Sequence, residues 1–262
     1  MKLKSLVFLA LPLLMVVSPV SAQTDEEKGY AIQAEASRRD NGYIDSMHDA
    51  AMTLKNAQGE VSTRGFVVKT LEVESDGDKE MGIFHSPADV KGTAVLTFSH
   101  GIKPDDQWIY LPSLKRVKRV ATVNKSGPFV GSEFAFEDIS SWELEKYRYR
   151  YLRDEEIDGN DCFVVENIPV YEYSGYTKQI EWLDKKMYQP RKIEFYDRKG
   201  ALLKTLTFSD YNQYLDRYWR AGKLQMENVQ NGKSTELLRK NYRFRNNFSD
   251  RDFTENALKN VR

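Results

Sequence analysis

Apolar and polar residues alternate with a period of two along most of this chain, which is the pattern of half-buried β-strands. The first such runs lie at residues 48–55, 64–74, 79–85 and 93–99. Turn-forming residues, such as those of the sequence Asn56-Ala-Gln-Gly59, separate the runs. Short turns favour antiparallel pairing of successive strands. The pattern therefore predicts an antiparallel meander.

The same pattern continues along the chain and gives roughly a dozen strands in all. Helical patterns are rare and are confined to residues 25–39, a short stretch around 132–142, and 250–258. An antiparallel sheet of this size must curl, split or close, and so few helices cannot cover a flat one. We therefore expect a strongly curved sheet wrapped around a helix, a shape that tends to leave an apolar cavity. The later strands are predicted at 107–111, 116–120, 147–153, 161–169, 179–184, 192–196, 201–209, 217–227 and 235–245.

The N-terminal segment is predicted to be a signal peptide. Lys2 and Lys4 precede an apolar run at residues 6–17, and small residues then lead to a cleavage point after Ala22. The apolar run is shorter than the ~20 residues of a transmembrane helix. We expect an exported chain with no stable membrane anchor. Residues 23–262 are interpreted as one domain, because no low-complexity stretch, repeat or break in composition divides them.

Composition and charge exclude several classes of protein. The 39 Lys and Arg residues balance 39 Asp and Glu residues, so the chain lacks the basic excess expected of a nucleic-acid-binding protein. Cys162 is the single cysteine. It cannot form an intrachain disulfide, and it lies too far from residue 22 to be the acylated cysteine of a lipoprotein. Stability must therefore come from a hydrophobic core.

Enzyme and metal signatures are missing from the sequence. It has three histidines and lacks an H-E-x-x-H motif, paired cysteines, a G-x-S-x-G elbow and a Walker A loop. We therefore expect no catalytic residues, no metal and no cofactor. His100 could act in a triad assembled only in space, although a turn histidine beside Gly101 is the simpler interpretation.

A basic stretch begins just before the strand predicted at 116–120 and continues into it, and two aromatic residues precede it. One interpretation is an edge strand that its charges protect against aggregation. The other is a basic rim that meets an anionic headgroup or an acidic partner surface. The four cations are Lys115, Arg116, Lys118 and Arg119, and the aromatic residues are Trp108 and Tyr110.

A second group of aromatic residues lies in a glycine-containing segment without strand alternation. Phe129, Phe134, Phe136 and Trp142 occur there. The segment either plugs one end of a barrel or forms a lid over an apolar ligand cavity.

Residues 108–120, followed by 129–139, resemble the signature of the outer membrane lipoprotein-sorting proteins, a LolA-like family. The resemblance covers most of residues 23–262, including the first helix and a late stretch that begins at Trp182. It implies a mainly β (α+β) fold, a half-open antiparallel β-barrel of about eleven strands with a few helices as a lid over an apolar cavity. We expect the aromatic residues named above, together with Trp182, to line the cavity or its lid.

The resemblance also implies a function. Such a protein would be a periplasmic carrier or chaperone that binds lipidated protein, lipid or other hydrophobic cargo and moves it between membranes, without covalent catalysis. An RND/MMPL-type inner-membrane transporter is the implied partner. LolA itself depends on an arginine that holds its lid closed, and the sequence does not assign that role to any arginine, Arg64 included.

Two alternative functions remain open at this point. One is an accessory subunit of an envelope transporter that binds no lipid, for which a filled interior is expected. The other is a hydrolase with a spatially assembled site near His100.

Overall fold

Residues 22–74 and 76–260 are described by the computed structural model of the protein. Apart from Ala22, the predicted signal peptide lies outside the described residues. Within these two ranges, no helix combines the length and the apolar character needed to cross a membrane.

The first helix, α1 (Asp25–Asp40), forms at the position that the sequence predicts. A capping box starts it: the Thr24 hydroxyl accepts a hydrogen bond from Glu27 N at 3.1 Å, and the Glu27 carboxylate accepts one from Thr24 N at 2.9 Å. Both amide groups would otherwise lack an intrahelical partner. Arg38 and Arg39 in the last turn lie at the negative end of the helix dipole.

Thirteen strands are found in the described part of the chain, and each overlaps a predicted one. The number exceeds the eleven or so that the family resemblance implies and is close to the number that periodicity gives. The strands are β1 (Asp45–Lys55), β2 (Val61–Leu71), β3 (Lys79–Ser86), β4 (Ala94–Phe98), β5 (Asp106–Leu111), β6 (Arg116–Arg119), β7 (Tyr147–Ile157), β8 (Asn160–Pro169), β9 (Tyr176–Asp184), β10 (Pro190–Asp197), β11 (Leu202–Tyr214), β12 (Tyr218–Asn228) and β13 (Ser234–Phe244).

All thirteen strands form one antiparallel sheet in the order β6-β5-β4-β3-β2-β1-β13-β12-β11-β10-β9-β8-β7. The sheet therefore consists of two meanders, β1 to β6 and β7 to β13, joined by the pairing of β1 with β13. Strands β6 and β7 are the two edges and do not pair with each other. The expected mainly β, half-open architecture is confirmed.

The two faces of the sheet differ in what covers them. On β1, the side chains of Ala50 and Met52 are buried, whereas Ala51 between them is exposed. We call the face that carries Ala50 and Met52 the inner face. Helix α1 lies over its β7–β8 region, where Ile32 of α1 packs in one cluster with Val165 and Leu183.

The C-terminal segment covers part of the outer face. The helix predicted at 250–258 is divided into a 3-10 helix (Asp250–Asp252) and the short helix α2 (Glu255–Lys259). The division occurs because Thr254 caps α2, its hydroxyl accepting a hydrogen bond from Ala257 N at 3.0 Å. Phe253 and Leu258 are buried against the outer face of β3 to β5.

Residues 120–146, the crossing segment, connect the two edge strands β6 and β7 and pass over the inner face. The short helix expected around 132–142 is limited to one 3-10 turn, Phe136–Ile139. The segment contains a local hairpin instead, in which Phe129 N donates to Phe134 O at 2.7 Å and Phe136 N donates to Gly127 O at 3.1 Å. These bonds replace the helical ones. Its 3-10 helices are Thr122–Asn124, Phe129–Gly131, Phe136–Ile139 and Leu144–Lys146.

Candidate functional site

A cavity of about 990 Å³ lies between the inner face, helix α1 and the crossing segment. This volume is at the upper end of the range of small-molecule binding sites. The half-open sheet creates the space, because its two edges are bridged by chain segments and not by strand pairing. We call this space the inner-face cavity.

One wall of the cavity is apolar. Met52 of β1, Phe66 of β2, Leu224 of β12 and Leu237 of β13 line it and are all buried. Gly82 of β3 also lines the cavity, and a Cβ atom added there would meet nothing within 4 Å. The space next to Gly82 is therefore open for a ligand.

The other end of the cavity is polar and titratable. His48 stacks on Tyr242 with their ring centroids 4.4 Å apart. Burial lowers the pKa of His48 well below its usual value, with help from nearby Arg239. Burial also raises the pKa of Glu80 to about 7, against the opposing effect of the same arginine. At neutral pH, His48 is therefore uncharged and Glu80 is partly protonated.

The end of helix α1 is fastened to β12 across the cavity. Arg217 donates to the backbone oxygens of Arg38 and Asn41 at 3.0 and 2.8 Å, and Arg220 is ion-paired with Asp40. Arg217, which precedes β12, and Arg220 of β12 hold the helix, and not Arg64. At the middle of α1, Gln33 donates to the buried Glu181 carboxylate at 2.5 Å.

The crossing segment closes the apolar end of the cavity from within. Asp138 forms an ion pair with Lys204 of β11 at 2.6 Å, and both side chains are buried. Asp138 also accepts hydrogen bonds from Tyr176 Oη at 2.7 Å and Ala135 N at 2.6 Å. These contacts favour a plug over a lid, because several buried polar bonds would have to break for the segment to move.

Most of the aromatic residues predicted in this segment lie at the cavity. Phe129 and Phe134 line it and are buried in the inner-face core. Phe136 packs edge-on against Phe129, with centroids 5.6 Å apart. Trp142 lines the mouth, is 37% exposed and stacks on Tyr147 at 4.1 Å.

The other three aromatic residues lie on the outer face, so the structure does not bring them to the cavity. Trp108 and Tyr110 pack in the cluster around Phe253 and Leu258. Trp182 packs in the outer-face cluster of Cys162, Val164 and Ile180, and Lys192 lies over its ring at 4.5 Å. The placement of these three at the cavity or lid is corrected. Alternation shows which residues share a face but not which face is concave.

The basic stretch lies on the edge strand β6 and in the turn before it, away from the cavity. Arg116, Lys118 and Arg119 are exposed, and Arg119 is ion-paired with Asp106 of β5. Lys115 precedes β6 and is also exposed. The edge position agrees with the interpretation that these charges protect an unpaired strand.

The potentially reactive side chains outside the cavity are either held by ionic contacts or unreactive. Both ring nitrogens of His100 face carboxylates, Nδ1 with Asp76 at 2.6 Å and Nε2 with Asp106 at 3.2 Å. Burial raises the pKa of the Cys162 thiol to about 11, so the thiol stays protonated. Over residues 22–74 and 76–260, no group of three or more His, Cys, Asp or Glu side chains could hold a metal ion.

Sequence reasoning missed the polar cavity residues His48, Glu80 and Arg239, together with Gly82. The sequence contains a signal for only one of these residues, His48. His48 has the same parity on β1 as Ala50 and Met52, so alternation places it on their face. The strands that bring Glu80 and Arg239 to that face are distant in sequence, and their neighbours follow only from the sheet order.

Comparison with known proteins places the chain in a family. A family model described only as an uncharacterized protein matches residues 76–260. A domain from Vibrio parahaemolyticus, described as an outer membrane lipoprotein-sorting protein, is 58% identical with a TM-score of 0.88; the match covers 89% of this chain and 99% of that one. A DUF1329 family protein from Desulfovibrio piger is 28% identical with a TM-score of 0.86, covering 90% and 99%.

A LolA superfamily protein from Nitrosomonas europaea shares the fold. It is 22% identical with a TM-score of 0.71, and the match covers 87% of this chain and 98% of that one. Among curated proteins, none matches this sequence. The chain belongs to the family of outer membrane lipoprotein-sorting proteins, and its fold is LolA-like.

Proposed function

We propose that the protein is a periplasmic carrier that binds lipidated protein, lipid or another hydrophobic cargo in the inner-face cavity and moves it between membranes. The observation that carries this proposal is the cavity of about 990 Å³ with its apolar wall. The 58% identity to a domain described as a lipoprotein-sorting protein supports it.

The free energy of cargo binding to such a carrier can come from burial of apolar surface alone. Each CH₂ group that leaves water contributes about 0.8 kcal/mol, so an acyl chain provides a large gross binding energy before the cost of association. No covalent step is required. An RND/MMPL-type inner-membrane transporter is proposed as a partner, with the exposed cations of the β5–β6 turn and β6 as the contact surface: Lys115, Arg116, Lys118 and Arg119.

Two observations weigh against the alternative functions. An accessory subunit without a ligand would be expected to fill its interior, whereas Gly82 leaves open space beside the apolar wall. A hydrolase near His100 would need a ring nitrogen directed at a nucleophile, and both nitrogens face carboxylates.

The proposal is tested by native mass spectrometry of protein purified from the periplasm without detergent, followed by extraction and identification of bound lipid. We expect an acyl-containing species in the wild type. Gly82→Phe should occupy the open space beside the apolar wall and weaken lipid uptake with the fold retained. Ala51→Phe, at an exposed position of β1, is the matched control and should bind normally. An apo mass together with failure to take up added lipid would refute the carrier function.

A further inference from the structure

The polar end of the inner-face cavity contains hydrogen-bonding atoms that no described residue satisfies. His48 is 6% exposed, and its Nδ1 atom is buried without a hydrogen-bond partner. The Nε atom of Arg239 is likewise buried without a partner. Both residues line the cavity. Buried polar atoms in folded proteins are normally hydrogen-bonded, so such a pair in one cavity indicates a place for a polar ligand group.

Two arginines at this end of the cavity can attract a negatively charged ligand group, and they differ in their ion pairing. The second arginine of the cavity, Arg220, is ion-paired with Asp40 of α1. Arg239 forms no ion pair with a carboxylate of the described residues. Glu80 lies near enough to attract it, but burial raises the pKa of Glu80 to about 7, so that carboxyl is partly protonated at neutral pH. The Asp78 carboxylate accepts a hydrogen bond from the hydroxyl of Tyr43 at 2.7 Å, and burial raises the pKa of Asp78 too. Arg239 is therefore the cation of this end with the least complete compensation.

The polar end continues directly into the apolar wall. On β1, the inner-face positions after His48 are Ala50 and Met52, and at about 3.3 Å per residue Met52 lies roughly 13 Å from His48. In the sheet register Arg239 lies opposite Ala50, and Leu237 lies opposite Met52. A molecule with a polar head and an acyl tail would match this order along the strands.

We propose that His48 and Arg239 form a headgroup site inside the cavity, which binds the anionic oxygens of an amphiphile, a carboxylate or a phosphate, while its acyl chain lies on the apolar wall. The inference rests on the proposed carrier function and adds the class of cargo. It also fixes the orientation of the cargo, with the head at the level of His48 and Arg239 and the tail directed toward Met52, Leu237 and the plug.

The test compares three C16 probes that differ only at the head: hexadecanoate, hexadecyl phosphate and hexadecan-1-ol. Binding to the delipidated protein is measured by titration calorimetry. A hydrogen bond to a charged group contributes about 1.5–3 kcal/mol, so at least one anionic probe should bind about 10-fold or more tightly than the alcohol. The tighter of the two anionic probes identifies the head as carboxylate or phosphate.

Variants test whether Arg239 and His48 cause the preference for an anionic head. Arg239→Gln should remove the preference for the anionic head and leave hexadecan-1-ol binding within about two-fold of wild type. Arg243→Gln, at an exposed position of the same strand, is the matched control and should keep the preference. His48→Phe keeps an aromatic ring against Tyr242, removes the nitrogen, and should weaken only the anionic probes. Arg239→Lys should restore part of the preference, and circular dichroism of each variant checks the fold.

Two results would overturn the inference, and they can be told apart. If all three probes bind with similar affinity and Arg239→Gln has no effect, the headgroup site is refuted while the carrier function stands. If none of the probes binds, and an uncharged fluorescent apolar probe also fails to bind, the carrier function itself is refuted together with the site.

Discussion

The ion pair between Asp138 and Lys204 decides whether the crossing segment is a fixed plug, so its removal is the most informative perturbation. The Nζ and Oδ2 atoms are 2.6 Å apart, and the side chains are 3% and 4% exposed. Lys204 also donates to the backbone oxygen of Glu133 at 2.8 Å. The pair therefore joins the crossing segment to β11 at two points.

The expected loss of stability follows from the burial of this ion pair. Removing one member leaves the other as an uncompensated charge away from water, which costs about 3–5 kcal/mol. Lys204→Met and Asp138→Asn should each lower the free energy of unfolding by that amount. The double variant removes both charges and should cost clearly less than the sum, a coupling of about 2 kcal/mol or more. Urea unfolding followed by tryptophan fluorescence measures all four proteins of the cycle.

The matched control is the pair of Lys223 and Glu236, which lies on β12 and β13 with 38% and 30% exposed side chains. Lys223→Met and Glu236→Gln should leave unfolding close to wild type, because exposed ion pairs contribute little. If the Asp138 and Lys204 variants behave like this control, the buried pair does not fasten the segment. The plug interpretation would then be wrong, and the crossing segment would be a lid.

Three further predictions concern the plug, the helix and the polar end of the cavity. Phe134→Ala, in the inner-face core, should lower the free energy of unfolding by about 3–5 kcal/mol, measured by urea unfolding; a loss below about 1 kcal/mol would place Phe134 outside the core. Gly29→Ala should lower the melting temperature despite the better helix propensity of alanine, because the new Cβ would lie 2.7 Å from Tyr151 N; a rise would mean that α1 can shift away from β7. Glu80, with its pKa raised to about 7, binds its proton more tightly in the folded state, so stability should fall as pH rises from about 4.5 through 7, by at most about 3 kcal/mol from this group. Glu80→Gln should flatten that part of the pH profile, and an unchanged slope would contradict the assignment.

The fold could be predicted from the sequence because local signals agree with the final structure. Each strand run keeps its alternation, and turn residues such as Asn231 and Gly232 separate β12 from β13. The capping box of Thr24 and Glu27 fixes the start of α1. The sheet order is a pair of simple meanders, so nearest-neighbour pairing of successive strands gives every contact except that of β1 with β13.

The site could be predicted only in part, because its position depends on the curvature of the sheet. Trp108 alternates in β5 as cleanly as any cavity residue does, yet it faces the outer side, which the C-terminal segment covers. Phe129 and Phe134 are predicted from the aromatic composition of their segment and not from periodicity. His48 and Arg239 come together because β1 pairs with β13, a contact between strands almost two hundred residues apart in sequence.

The open cavity lowers the stability of the protein. Gly82 and Ala50 are small residues on the inner face, and a glycine in a strand interior gives up both packing and backbone stability. Larger side chains there would fill space, and unfilled apolar volume costs stability. The buried ion pair of Asp138 and Lys204 is a second element that apolar residues could replace without loss of stability. Open space held in place by buried polar bonds is what a carrier requires, because the ligand must supply the missing contacts when it enters and take them away when it leaves.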